Sequence, residues 1–209
     1  IALKVLDRYG TGSQDDVLRA LRWIREYRQQ YRIRVVNISV GTTCNSKRNH
    51  ARLLESVEQL WDEGVVVVTA AGNQGPRPGS ITAPGSSKKV ITVGSSDLLE
   101  GRSAISGRGP TAECVCKPDI VAPGVNIVST AVNGGYTVRS GTSMAVPFVS
   151  GSAALLMQWG IVNGNDPFLY GEKVKAYLRR GARELPGFGK YPNREVGYGR
   201  LCLERSLPD

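Results

Sequence analysis

Val65-Val66-Val67-Val68-Thr69-Ala70 is an apolar run that only one threonine interrupts. A strand with one face in solvent alternates apolar and polar residues, whereas a strand covered on both faces does not need to alternate. Strands of the second kind occur in parallel sheets that carry helices on both faces. The run therefore predicts a central strand of a largely parallel α/β sheet.

Strand and helix patterns alternate on both sides of this run. Residues 1–6, 35–40, 91–93 and 120–122 are rich in apolar and β-branched residues and predict further strands. Ser13 and Asp16 have the spacing of a capping box, which predicts a helix that begins there. Gly64 is placed to end a second helix. This alternation predicts a three-layer α/β sandwich with a largely parallel central sheet, forming one domain over residues 1–209.

Two further helices are predicted in the second half of the chain. Apolar residues from Val149 to Leu156 follow a Gly-Thr-Ser triplet and predict a buried helix. Val174, Tyr177 and Leu178 have the spacing of one apolar helix face. A glycine-rich segment follows at residues 197–199.

The composition fits a folded domain and narrows the classes of partner. The chain has 209 residues, of which 41% are hydrophobic, and a formal net charge of +9. Its basic residues are scattered and form no known nucleic-acid motif, so we expect no nucleic-acid partner. A basic DNA binder is the alternative, and it predicts binding that weakens steeply with salt. No run approaches the ~18 apolar residues of a membrane span, so we expect no membrane partner.

The four cysteines, Cys44, Cys114, Cys116 and Cys202, match no metal or redox motif. Cys114 and Cys116 are separated by one residue, whereas zinc and redox motifs usually separate their thiols by two or more. Free thiols in a reducing compartment such as the cytoplasm are favoured, with two disulfides as the alternative. We expect no cofactor; a structural calcium ion is the alternative, for which no cluster of carboxylates is assignable as ligands.

Ser143 lies in the run Ser140-Gly141-Thr142-Ser143-Met144-Ala145-Val146-Pro147, just before the predicted buried helix. The first backbone N–H groups of a helix have no partner within it, and the helix dipole favours negative charge there. A serine at this position suits a nucleophile whose reaction creates an oxyanion. The alternative is that Thr142 or Ser143 only caps a core helix.

The run at residues 140–147 closely resembles the nucleophile motif of the subtilisin-like serine peptidases, with Ser143 in the place of the nucleophile. Ala70-Ala71-Gly72-Asn73-Gln74-Gly75 resembles a second motif of that family, in which Asn73 takes the place of the asparagine that donates to the oxyanion. The resemblance implies a subtilisin-like fold and serine endopeptidase activity on protein or peptide substrates. An asparagine that only forms a turn is the alternative for Asn73.

The same resemblance implies a cleft in which an extended peptide pairs with backbone groups on two edges. Its residues would be Gly10, Thr11, Gly12, Ser39, Val40, Gly41, Ala71, Gly72 and Thr82. Pairing through the backbone implies broad specificity, and the absence of a carboxylate near Thr82 implies no preference for Lys or Arg. Thr82 is bulkier than the glycine of well-known members and narrows the pocket. Pro84 matches a position that is often a cis proline in the family.

A base for Ser143 is missing from the sequence. A serine nucleophile needs a base and a group that orients it, but the single histidine, His50, has polar neighbours and is expected on the surface. Neither Asp7 nor Asp119 matches the aspartate motif of the family, and the chain starts inside a predicted strand. Two explanations are open. Either an absent N-terminal segment carries the Asp and His, so that this chain is inactive alone, or the chain is a non-catalytic pseudo-peptidase that binds peptides or has a structural role.

Overall fold

A computed structural model describes residues 1–42, 47–99 and 104–208, with only the backbone of residues 47–49. In these ranges the elements follow the chain as α1 (Gln14–Tyr27), β1 (Val35–Ile38), α2 (Lys47–Asp62), β2 (Val66–Ala70), β3 (Ile91–Ser95), β4 (Ile120–Ala122), β5 (Ile127–Thr130), β6 (Tyr136–Arg139), α3 (Thr142–Met157), α4 (Gly171–Gly181) and α5 (Leu203–Ser206). One π-helical turn, Gln158–Val162, continues α3.

The central sheet has the order β1-β2-β3-β4, and its strands are all parallel. Every residue of β2 and β3 is buried, so both faces of the sheet are covered there. α3 contacts all four strands, α2 contacts β2, and α1 packs against α2. The predicted α/β sandwich is confirmed, and the valine run is a central strand because helices exclude water from both of its faces.

The predicted helix boundaries agree with the structure where caps were identified. Ser13 is the N-cap of α1: its hydroxyl accepts a hydrogen bond from the Asp16 N–H, and the Asp16 carboxylate accepts one from the Ser13 N–H. α2 ends at Asp62, and Gly64 follows with a φ of 88°, a left-handed conformation that glycine adopts at little cost. The β5–β6 hairpin before α3 was not predicted.

α3 is the core helix of the domain. Together with the π-helical turn it forms one helix of 21 residues with a mean hydropathy of 1.5, which by length and composition is enough to cross a membrane. Half of this stretch is buried inside the domain, as in a helix that packs on a sheet. Sequence analysis did not identify this stretch as long and apolar enough for a membrane span, because glycine, serine and proline residues interrupt its apolar positions.

Residues 1–6 do not form a strand, so that prediction was wrong. β1 is an edge strand of the described sheet, with one side unpaired. Residues 3–6 and β1 instead line opposite sides of a cavity of about 360 Å³. A strand needs a neighbour for its backbone N–H and C=O groups, and residues 1–6 have none within hydrogen-bonding reach in the described structure.

Candidate active site

Ser143 is the second residue of α3, and Ser140 and Gly141 connect this helix to β6. Gly141 is the N-cap residue and has a φ of 143°, a conformation that L-residues rarely adopt. A Cβ atom added to Gly141 would lie 3.3 Å from Asn73 Nδ2. The glycine therefore allows the helix to begin close to the Asn73 side chain, with Ser143 partly exposed at its N-terminus.

The Asn73 side chain is held by the residue before Ser143. Asn73 lies in the loop that follows β2, and its Oδ1 accepts hydrogen bonds from the Thr142 N–H and the Thr142 hydroxyl, both at 3.0 Å. Because both bonds fix Oδ1, the amide Nδ2 is turned to the other side of the group. Nδ2 donates to no acceptor among the described residues, so it is a fixed donor available to a bound molecule.

The carbonyl of Ser143 is bound from β1. Pro147 lies four residues later in α3 and has no N–H to donate to this carbonyl, so the usual helical hydrogen bond is absent. The Ser39 hydroxyl donates to it instead, at 3.0 Å. In the other direction, the Ser143 hydroxyl donates to the Ser39 carbonyl at 2.7 Å. Two hydrogen bonds therefore attach the N-terminus of α3 to the carboxyl end of β1.

Asn37 extends this arrangement along β1. Its Nδ2 donates to the Ser39 hydroxyl at 2.8 Å, and its Oδ1 accepts from the Ser150 hydroxyl of α3 at 3.0 Å. We call Asn37, Ser39, Asn73 and Ser143 the nucleophile edge. Sequence reasoning missed Asn37 and Ser150, because the hydrogen bond that joins them connects residues far apart in the chain.

Thr82 packs between Gly41 and Gly72. A Cβ atom added to Gly41 would lie 2.6 Å from Thr82 Oγ1, and one added to Gly72 would lie 2.8 Å from Thr82 Cγ2 and still closer to Oγ1. The Thr82 N–H donates to the Ala71 carbonyl at 3.1 Å. The peptide bond between Ala83 and Pro84 is cis, as expected. The structure thus brings Gly41, Ala71, Gly72 and Thr82 together.

A cavity of about 370 Å³ separates the two predicted cleft edges. It is lined by Leu6, Gly12, Ser13, Gln14, Val17, Val40, Gly41, Thr42, Leu53 and Pro84. Gly10 and Thr11 do not line it. They belong to a turn closed on Asp7, which uses the N–H and C=O of Thr11 and the N–H of Gly10. Gly12 is therefore the part of the first edge that faces Val40 and Gly41 across the cavity.

No hydrogen bond joins Ser143 to His50 or to Asp7 among the described residues. His50 lies in the first turns of α2, where it is partly buried, and its Nε2 is buried without a hydrogen-bond partner in the described residues, so it is less exposed than expected. The Asp7 carboxylate accepts from the N–H groups of Tyr9 and Thr11, which lowers its pKa. The Ser143 hydroxyl has the Ser39 carbonyl as its partner.

Asp119 belongs to a buried ion cluster of Lys117, Asp119, Lys175 and Arg179. Its Oδ2 accepts from Lys117 Nζ at 2.6 Å and from the Thr92 N–H at 2.7 Å, and its Oδ1 contacts Arg179 and lies 3.5 Å from Lys175 Nζ. Burial alone would raise the pKa of Asp119, but the three cations hold this pKa well below its usual range. Asp119 therefore stays ionised as part of the fold.

Lys175 joins this cluster to the loop that leads from Pro84 to β3. Its Nζ donates to the carbonyls of Lys88, Lys89 and Val90 at 2.8–3.1 Å. Burial lowers the pKa of Lys175 to about 7, although the charge of Asp119 acts in the opposite direction. Sequence reasoning missed this role, because no local pattern reports that residues 88–90 and 175 meet.

The described residues contain no group of three or more His, Cys, Asp or Glu side chains that could hold a metal ion. Cys114, Cys116 and Cys202 are free thiols, as the favoured interpretation expected, and Cys44 lies outside the described residues. Burial raises the pKa of the Cys116 thiol, which reduces its reactivity.

The model of the subtilase family matches residues 1–199. The chain belongs to the subtilase family. Among curated relatives, this subtilase is 36% identical to the serine protease AprX of Bacillus subtilis (strain 168), with all of this chain and 51% of AprX covered. It is 33% identical to subtilisin Savinase of Lederbergia lenta, with 91% of this chain and 62% of Savinase covered.

The solved structures agree with this assignment. The CspB protease of Clostridium perfringens superposes with a TM-score of 0.85 at 25% identity, and the match covers 97% of this chain and 73% of that one. Sphericase superposes with a TM-score of 0.77 at 27% identity. The subtilase chain described here spans about half the length of AprX, the first of the curated relatives.

Proposed function

We propose that this chain is the larger, C-terminal part of a serine endopeptidase domain, in which Ser143 is the nucleophile. One observation carries the proposal: Thr142 fixes the Asn73 amide beside the N-terminus of the helix that carries Ser143. A serine hydroxyl, a helix N-terminus and a fixed amide donor meet there. These are the groups that an acyl transfer through a tetrahedral intermediate needs. The serine protease names of the relatives support the same reaction.

In the proposed reaction Ser143 Oγ attacks the carbonyl carbon of a peptide bond, and its proton passes to a base. The negative charge then develops on the former carbonyl oxygen. Asn73 Nδ2 and the Ser143 N–H donate to that oxygen, and the dipole of α3 also stabilises it. Before substrate binds, the Ser143 hydroxyl donates to the Ser39 carbonyl. It must leave this acceptor when the base takes its proton.

The base and the carboxylate that orients it belong, in this proposal, to a segment N-terminal to residue 1. The open side of β1 and the cavity between β1 and residues 3–6 are the binding place that we assign to it. A strand inserted there would pair its backbone with β1. If it runs parallel to β1, its carboxyl end reaches the same edge of the sheet as Ser39.

The test uses the gene product with its upstream coding segment, and casein as the substrate. We expect hydrolysis by the wild-type protein and a loss of at least roughly 10³-fold in Ser143→Ala, because the acyl-enzyme is no longer formed. The 209-residue chain alone should hydrolyse casein at the rate of Ser143→Ala. Equal activity of wild type and Ser143→Ala in the longer protein would overturn the proposal and leave the non-catalytic alternative.

A further inference from the structure

We infer that Asn37 is a positioning residue of the proposed reaction: its side-chain amide orients the Ser39 hydroxyl, which in turn holds the backbone of Ser143. The inference rests on the proposed function and adds to it a residue that acts only through its neighbour. It also gives a role to Ser150, which fixes the orientation of the Asn37 amide.

Asn37 is a polar residue within the otherwise apolar strand β1. Val36 and Ile38, on either side of it, are buried, and across the sheet it is paired with Val68 of β2. Asparagine is depleted in strands, because its side chain competes with the backbone for hydrogen bonds. Strand formation therefore does not account for an asparagine at this position, whereas the two hydrogen bonds of its side chain do.

Three side-chain hydrogen bonds link α3 to β1 and return to α3. The Ser150 hydroxyl donates to Asn37 Oδ1 at 3.0 Å. Asn37 Nδ2 donates to Ser39 Oγ at 2.8 Å, and the Ser39 hydroxyl donates to the Ser143 carbonyl at 3.0 Å. A hydroxyl has one proton to donate. Because Ser39 Oγ accepts from Asn37, its own proton is kept for the Ser143 carbonyl.

The donor at Ser150 determines which end of the Asn37 amide faces Ser39. The opposite orientation would place Oδ1 against the Ser39 hydroxyl. The single proton of Ser39 would then have two acceptors, Oδ1 and the Ser143 carbonyl. That orientation makes at most two of the three hydrogen bonds, so the observed one is favoured.

The Ser143 carbonyl depends on these hydrogen bonds because Pro147 has no N–H to donate to it. Without the Ser39 hydroxyl, the first turn of α3 could shift, and the Ser143 Oγ and N–H would shift with it. A displacement of about 1 Å can cost roughly 10²-fold in rate. Since the Ser143 N–H and Oγ act on the transition state, we expect the effect of Asn37 in kcat rather than in KM.

The experiment measures kcat and KM of the gene product with its upstream coding segment on a fluorogenic peptide. Asn37→Ala should lower kcat roughly two- to tenfold and leave KM unchanged, because one positioning hydrogen bond is lost. Asn37→Asp keeps the shape of the side chain but only accepts hydrogen bonds when ionised, so it draws the Ser39 proton away from the Ser143 carbonyl. It should lower kcat at least as much as Asn37→Ala.

Asn165→Ala is the matched control. Asn165 is also exposed, and its Nδ2 also donates one hydrogen bond, to the Trp159 carbonyl at 2.7 Å. The truncation is the same as in Asn37→Ala, but the hydrogen bond lies beyond the end of α3 and not at Ser143. Asn165→Ala should therefore keep the wild-type kcat and KM.

A double-mutant cycle tests whether Asn37 acts through Ser39. In a Ser39→Ala background, Asn37→Ala should cause no further fall in kcat, because the hydroxyl that the amide orients is gone. Ser150→Ala removes the donor to Asn37 Oδ1 and leaves Nδ2 in place, so its fall in kcat should be smaller than that of Asn37→Ala. An equal fall for Asn37→Ala in both backgrounds would overturn the inference.

The remaining outcomes separate this inference from the proposed function. A rise of KM at constant kcat, or a wild-type kcat in Asn37→Asp, overturns the role of the Asn37 amide while the peptidase reaction stands. Equal falls in Asn37→Ala and Asn165→Ala overturn it as well, because they indicate a general loss of stability. If the wild type cleaves no faster than Ser143→Ala, the proposed function fails, and this inference fails with it.

Discussion

The buried ion cluster and the nucleophile edge are both attached to the parallel sheet, but their polar groups are satisfied in different ways. Lys117, Asp119 and Lys175 are at most 3% exposed, and their charges pair with one another and with backbone carbonyls. The nucleophile edge is neutral, partly exposed and lies beside the open side of β1. From this difference we expect substitutions in the cluster to change stability and substitutions in the edge to change the rate of the proposed reaction.

The largest effect is expected when the ion cluster loses its carboxylate. Asp119→Asn leaves Lys117 and Lys175 buried without their counter-charge, and removing one partner of a buried pair costs about 3–5 kcal/mol in the free energy of unfolding. Denaturant unfolding measures this loss in the free energy of unfolding. Asp62→Asn is the matched control, because it breaks an ion pair with Lys89 at the surface and should not change stability measurably. If Asp119→Asn and Asp62→Asn lowered the free energy of unfolding equally, burial would not explain why the cluster stabilises the fold.

The next largest effect is expected at the nucleophile edge, where it concerns mainly the rate of the proposed reaction. Asn73→Ala removes the fixed amide donor and should lower kcat by about 10²–10³-fold, the magnitude established for an oxyanion-hole asparagine in subtilisin. KM should stay unchanged, while the free energy of unfolding should fall by about 0.5–1.5 kcal/mol for each of the two hydrogen bonds that the buried Thr142 loses. Gln74→Ala, at the next exposed position, is the control. A parallel rise of KM would show that Asn73 binds the substrate rather than the transition state.

The cluster also predicts how stability depends on pH. The folded pKa of Lys175 is about 7 and its unfolded value is 10.5, so the unfolded chain binds more protons between these values. The Lys175 contribution to the free energy of unfolding therefore rises with pH from about 7 to about 10. Unfolding measured across this range should show that rise in the wild type and a smaller rise in Lys175→Met, in which Lys117, whose pKa burial also lowers, still contributes.

Lys173→Met is the control for this pH dependence, on the same helix. Its hydrogen bond with Asp166 raises the pKa of Lys173, so its stabilising contribution is complete below 10.5 and is lost only as the pH rises above that value. Between pH 7 and 10 the variant should follow the wild-type slope. A Lys175→Met protein with the wild-type slope would contradict the assignment.

The smallest effect is expected for the hydroxyl that attaches α3 to β1. Ser39→Ala removes the donor to the Ser143 carbonyl, which Pro147 leaves without a helical partner. A hydrogen bond of this kind contributes about 0.5–1.5 kcal/mol, so kcat should fall roughly two- to tenfold with KM unchanged. Ser56→Ala, which removes a hydroxyl–carbonyl hydrogen bond within α2, should leave kcat at the wild-type value. A fall of kcat in both Ser39→Ala and Ser56→Ala would indicate a general loss of stability.

Local patterns predicted the elements that local chemistry decides. The valine run predicted β2, and the capping box at Ser13 predicted the start of α1, because burial on both faces and helix caps leave signatures within a few residues. The strand predicted at residues 1–6 failed for the opposite reason. Its apolar residues fit a strand, but a strand forms only where a neighbour is within hydrogen-bonding reach.

In the candidate site, too, some features follow from local patterns and others depend on contacts across the fold. Its motifs predicted Ser143 and Asn73 as parts of one site, and the structure brings both to the N-terminus of α3. The roles of Asn37, Ser150 and Lys175 could not be predicted, since each depends on contacts between segments tens of residues apart.

The sequence by itself determined the parallel sheet, the core helix and the position of Ser143 at the start of that helix, because these follow from periodicity, caps and one glycine. Only the tertiary structure decided that Thr82 occupies the gap between Gly41 and Gly72, and that cations of α4 join the neighbouring Lys117 in holding Asp119. Side-chain packing and buried charge pairing depend on distances across the fold. The order of residues along the chain does not contain those distances.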